Sequence, residues 1–186
     1  MIGFRTLSIG VAVLFIAATS GAQVTPATER PASREAVFVG KDDFQKALVS
    51  STSSGITVAS LGAIRAGDDR ITVEEINRTN AAAEGPVSHS IVTEIYYILE
   101  GGGSMETGGR IGDATPILTD GKPTNLAGIG PSVRGIKMSG GIIHRVKAGD
   151  VVMIPPGTPH RFLSLDGHVT YIVIRANPGY ERGNAR

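Results

Sequence analysis

Residues 149–162 read GDVVMIPPGTPHRF, and they constrain the backbone more tightly than any other stretch of the chain. A run of β-forming apolar residues meets Pro155, which cannot donate to a central ladder and so ends the strand. Gly157 then permits a turn conformation closed to other residues. Pro159 restrains Thr158 to an extended shape, so His160 starts the return strand in a defined orientation, with Phe162 and Ser164 on its face. Taken alone, this is either a surface hairpin with a histidine after its turn or a corner built to hold a ligand.

The rest of the chain carries the same short β-rich runs. GITVASLGAIRAGDDRITVEEINR reads as two strands split by AGDD, and IVTEIYYILEG and HVTYIVIRA are further strands. With 25 glycines among 186 residues and aromatics at 5%, the chain suits an all-β domain with many tight turns. Regularly punctuated short strands point to a sandwich or barrel. KDDFQKALVS has early acids and Phe44, Ala47 and Leu48 at helical spacing, so a short N-terminal helix is expected. Residues 104–141 are glycine-rich with little periodicity and read as an elaborated loop with one extra strand pair, placed to act as a lid over a barrel mouth.

Arg5, the apolar run IGVAVLFIAA and the small residues Ser20 and Ala22 describe a secretory signal over residues 1–22, cut after Ala22. An uncleaved N-terminal anchor is the alternative, but the run is short for a membrane span. Export places the mature protein outside the cell or in the periplasm, with no stable membrane insertion after cleavage. Residues 23–35 read as a disordered lead-in, 36–180 as one barrel domain and 181–186 as a flexible tail. Cleavage takes Arg5 from the 18 basic residues and leaves 17, against 17 acidic ones. That balance gives poor support for a nucleic-acid or anionic-lipid binder, which would need a basic stripe. The absence of cysteine excludes disulfides and thiolate metal sites.

Any transition-metal site must therefore come from carboxylates and four histidines: His89, His144, His160 and His168. In VSHSIVTEIYYILEGGG, His89 ends one strand and Glu94 begins the next. Period-two alternation puts Glu94, Tyr96 and Ile98 on one face and Ile95, Tyr97 and Leu99 on the other. Glu94 is either a solvated residue of an edge strand or a buried carboxylate paired with a cation. His144 faces either cavity or solvent, and His168 lies beside a turn. The glycine-rich EGGGSMETGG lacks the βαβ context of a nucleotide site.

These two stretches together resemble the paired motifs of the cupin family. The second motif, G-x5-P-x-G-x2-H-x3-N, is matched by Gly149, Pro155, Gly157 and His160, with Ser164 in place of asparagine. The first, with its H-x-H-x3,4-E-x6-G core, is matched by His89, Glu94 and Gly101; Ala81 stands at its leading glycine and Val87 at its leading histidine. The resemblance implies a double-stranded β-helix, the jelly-roll cupin barrel. It further implies one divalent metal ion, Fe(II), Mn or Zn, held by His89, Glu94 and His160, and it is compatible with a homodimer. Val87, Tyr96 and Phe162 are the expected substrate-pocket residues. Two functions follow: a metal-dependent enzyme acting on a small organic molecule, oxygenase-type first and isomerase or lyase second, or a small-molecule-binding barrel without turnover. Val87 favours the second, since it removes one ligand.

Overall fold

A computed structural model of the chain describes residues 36–47, 55–117 and 128–180. The signal, the lead-in and the tail expected from the sequence lie outside them. The described residues all belong to one compact unit, Pro31–Arg186. Among them, no helix is long and apolar enough to cross a membrane.

The one described α-helix, α1 (Lys41–Ala47), has Asp42 and Asp43 in its first turn, where the helix dipole favours acids. The Asp43 carboxylate accepts the Gly40 amide at 2.8 Å and so caps the entry. Strands β1 (Ile56–Ala66) and β2 (Asp69–Arg78) form the expected hairpin. Only Gly67 of its two loop residues has a positive φ, which suits a type II′ turn. A 3₁₀ turn (Ala81–Ala83) leads to β3 (Val87–His89) and then to β4 (Thr93–Thr107). Short strands β5 (Arg110–Gly112), β6 (Thr115–Pro116), β7 (Ser132–Arg134) and β8 (Lys137–Ser139) follow. Strands β9 (Ile142–Lys147), β10 (Val151–Ile154) and β11 (His160–Asn177) complete the fold.

Two long strands organise the barrel. Residues 93–101 of β4 pair with residues 169–176 of β11, flanked by β10 on one side and β2 and β1 on the other. Residues 103–107 of β4 pair with residues 160–165 of β11, flanked by β9 on one side and β3, β7 and β6 on the other. Each long strand thus serves two facing antiparallel sheets, and the molecule is the jelly-roll barrel that the cupin resemblance implies. Between the sheets lies a core that includes Ile98, Met105, Ile154, Phe162, Tyr171 and Val173.

Both long strands bend rather than end, which the sequence reading did not anticipate. In β4 the bend falls on Gly101, Gly102 and Gly103. A Cβ on these would stand 2.0 Å from the His168 carbonyl oxygen, 2.3 Å from that of Val146 and 2.1 Å from that of Ser164. Only glycine lets the partner backbones approach so closely. In β11 the register slips between Phe162 and Ser164 and again between Leu165 and Val169. Such bulges turn a strand without breaking it, and the first leaves Ser164 exposed while Phe162 is buried.

The loop reading of residues 104–141 needs the largest correction. Residues 104–107 are the end of β4, inside the sheet. The segment beyond supplies two strand pairs rather than one, β5 with β8 and β6 with β7, and β7 extends the main sheet beside β3. Strands β6 and β7 join the main sheet, β5 and β8 form a separate two-stranded sheet, and residues 118–127 lie outside the described set.

The glycine bend gives a clear stability test. Gly103→Ala should lower unfolding free energy by about 3 kcal/mol, because two backbones must separate. Gly112→Ala, whose nearest atom would be the Lys137 Cβ at 3.7 Å, should stay within about 0.5 kcal/mol of the parent. Urea denaturation of both variants checks the pair.

Candidate metal centre

His89, Glu94 and His160 come from three strands, and all three are buried. Glu94 is on β4, next to Ile154 of β10 and Arg175 of β11, in the interior of its sheet. The solvated edge-strand alternative is therefore overturned. The alternation expected along β4 holds, with Glu94, Tyr96 and Ile98 inward.

The turn after β10 acts as a positioning device. Thr158 N–H donates to the Pro155 carbonyl at 3.2 Å, with Pro156 and Gly157 (φ 76°) at the centre of a type II turn. Gly157 N–H donates to the carbonyl of His89 at 2.7 Å, so the turn is fastened directly to the other histidine's strand. The Thr158 carbonyl accepts from Nδ1 of His160 at 3.1 Å. A carbonyl only accepts, so that nitrogen carries the proton.

The same reasoning fixes His89. Ser132 Oγ lies 2.9 Å from the Gly130 carbonyl and 3.0 Å from that of Ile129, and its single proton goes to one of them. Ser132 must then accept from Nδ1 of His89 at 2.7 Å. Burial, partly offset by the attraction of Glu94, lowers the His89 pKa to about 4, so its ring is neutral near pH 7. Its Nε2 lone pair faces inward.

Glu94 is 1% exposed and its two oxygens have separate tasks. Oε1 accepts from Nε of Arg175 at 2.6 Å. Oε2 receives the Tyr96 hydroxyl at 3.1 Å and lies 3.1 Å from Nε2 of His160 and 3.6 Å from Nε2 of His89. Burial opposes ionisation of Glu94, but the neighbouring His160 ring and the charge of Arg175 outweigh it and hold the carboxyl well below its usual range. Arg175 also pairs with Glu74, and these two carboxylates keep it charged despite its burial.

This donor set fits a divalent ion. Two imidazole nitrogens and a carboxylate oxygen lie within 4.8 Å of one another. Ligand atoms bound at about 2.1 Å and at right angles stand about 3 Å apart, close to the separations from Glu94 to each histidine. Ser132 and Thr158 supply the acceptors that metal-binding histidines need on their far nitrogens.

Val87 and Tyr96 line the adjoining cavity of about 410 Å³, as do His89 and His160. Phe162 does not. It packs 5.7 Å from the Tyr171 ring, and with Arg78, Val87 and Tyr96 it lines a narrow recess beside the cavity. His144 is exposed and bonded to Thr107 at 3.1 Å, and His168 lies 3.8 Å from Glu100, so neither reaches the centre. Sequence reasoning missed Ser132, which sits in a segment without periodicity. It also missed Arg175, although the inward positions of its strand run Val169, Tyr171, Val173, Arg175 and make the arginine the odd residue on an apolar face.

No family model matches the chain, and no curated protein matches it. Several solved structures resemble it distantly. An oxalate oxidase is 18% identical over 70% of this chain and 55% of its own, with a TM-score of 0.38. A predicted oxalate decarboxylase from Thermotoga maritima is 17% identical over 64% and 78%, at 0.36. The cupin domain of Schizosaccharomyces pombe Cnp3 is 17% identical over 70% of each chain, at 0.37. The chain spans about half the length of the oxalate oxidase and 24% of a hazelnut vicilin. The barrel assignment rests on strand order and register.

Arg175→Met strips a cation from two carboxylates inside the barrel and should cost about 3–5 kcal/mol of stability. Adding Glu94→Gln should recover part of that loss, because the stranded charge is then removed. Denaturant unfolding of both single variants and the double variant measures the coupling.

Proposed function

We propose that the protein is an exported metal-dependent enzyme acting on a small organic molecule inside the barrel, with His89, Glu94 and His160 holding one divalent ion. One observation carries this reading. The inward nitrogens of both histidines converge on Oε2 of Glu94 while Ser132 and Thr158 engage the outer nitrogens. Two histidines and one carboxylate, with positions left for other ligands, suit Fe(II) in oxygen-activating enzymes and also accept Mn(II) or Zn(II). An oxygenase is our first assignment, and an isomerase or lyase the second. When bound, the ion supplies Lewis acidity or redox capacity.

The chain's own groups define the rest of the site. Arg175 orients Glu94 through Oε1 and leaves Oε2 free for the centre. Burial, reinforced by the Glu94 charge, pushes the Tyr96 pKa well up, so its hydroxyl keeps its proton at neutral pH and donates it in a hydrogen bond. Ile56, Val58, Ile76 and Val87 supply an apolar part of the cavity lining.

A second reading, a binding barrel without turnover, is favoured by Val87, which stands opposite His160 and offers no further ligand.

Metal analysis separates the readings. The purified protein should carry, or take up on titration, one equivalent of Fe(II), Mn(II) or Zn(II), and His160→Ala should lose it. Ser132→Ala should keep the fold and weaken metal affinity by about 10–100-fold. A folded protein that takes up none of the three ions would exclude the enzyme and leave the container.

Export rests on the N-terminal pattern of Arg5, apolar run and small residues. Intact-mass measurement on protein expressed in a secreting host should find a chain beginning at Gln23. Retention of residues 1–22 would overturn cleavage.

A further inference from the structure

Three arginines line the cavity, and two of them are already committed. Arg78 pairs with Glu84 at 2.7 Å and donates to the Tyr171 hydroxyl at 2.8 Å. Arg175 is shared by Glu94 and Glu74. Arg134 is different. It is exposed at the cavity edge, and its guanidinium has no ion-pair or hydrogen-bond partner among the described residues.

Backbone register sets its place. Arg134 of β7 lies opposite Val87 of β3, and Val87 lies opposite His160 of β11. Directly opposed residues in antiparallel pairs project to the same face. With strands about 4.8 Å apart, the row places Arg134 about 10 Å from His160, backbone to backbone. The short side chain of Val87 stands between them.

We propose that the cavity takes a small organic carboxylate with an apolar body, and that Arg134 anchors its carboxylate. The inference rests on the reading of the cavity as a small-molecule site. Charge supports it: the three arginines are balanced by Glu74, Glu84 and Glu94, so a divalent ion at the centre would leave the cavity net positive. Shape supports it as well, because the planar guanidinium fork matches a carboxylate edge to edge. Six apolar residues, Ile56, Val58, Ile76, Val87, Ile117 and Ile129, line the same space and suit a hydrocarbon portion. The volume of about 410 Å³ falls in the lower part of the range for small-molecule sites, roughly 300–1,000 Å³.

The test is calorimetric titration of the purified protein with acetate, succinate and benzoate, each beside its neutral amide, with metal content measured in parallel. At least one acid should bind more tightly than its amide. Arg134→Gln should abolish that preference and weaken the acid by about 10-fold or more, the usual scale for losing a charged hydrogen-bond partner. Arg134→Lys, which keeps the charge but not the fork, should fall between. Metal content should be unchanged in both variants, since Arg134 is not a ligand. Acids that bind no better than their amides, or a preference that survives Arg134→Gln, would overturn the proposal. An Arg134-dependent preference in a metal-free protein would sustain it while removing the metal reading. A metal-loaded protein indifferent to Arg134 would do the reverse.

Discussion

A carboxylate that stays ionised inside the barrel is the constraint around which the rest of the site is arranged. Moving an unpaired carboxylate out of water costs far more than one residue's packing can repay, so a lone Glu94 would take up a proton and cease to be a donor. Arg175 prevents this by binding Oε1 directly, and Glu74 in turn balances Arg175. Glu94 and Arg175 are register partners on neighbouring strands, so the pair is set by the sheet rather than by flexible side chains finding each other. With Oε1 engaged, the remaining oxygen faces the histidines.

The histidines reach that oxygen because the two sheets meet along bent strands. Glu94 and Arg175 belong to one sheet, while His89 and His160 belong to the other. Straight strands would carry the two sheets apart. The glycines of β4 and the bulges of β11 fold each strand across both layers, so residues distant in sequence face one cavity. The turn at Gly157 completes the arrangement by bonding to the His89 carbonyl, which ties the approach to His160 to the strand bearing its partner.

What was legible in the sequence was local, and what was not depended on contacts far along the chain. The proline-glycine turn and the alternation along β4 each follow from backbone rules over a few residues, and they located His160 and Glu94. Strand ends were less readable because Gly101 to Gly103 and the Asp166–Gly167 turn look like terminators. Only the partner strands show that the ladder resumes beyond them. Ser132 was unreadable for a similar reason: its contact with His89 spans 43 residues and arises from β3–β7 pairing in a segment with no periodic signal. Arg175 was within reach. An arginine at an inward position opposite an inward glutamate is the one pairing that relieves both charges. Phe162 shows the converse limit, since facing inward does not decide whether a side chain meets the cavity or the core.

Val87 now has a physical meaning that a missing ligand does not convey. An imidazole there would add a nitrogen donor and fill the row between His160 and Arg134. Valine gives up that donor, and with it some affinity for a cation, since three protein ligands bind less tightly than four. It also puts an apolar surface of small volume between the donor cluster and the Arg134 guanidinium, which has no partner among the described residues. One fewer nitrogen donor and open space toward a cation at the cavity edge both follow from the one small side chain at this position. His89, Glu94 and His160 would hold an ion through three protein donors, while Arg134 would anchor an anionic molecule in the same cavity.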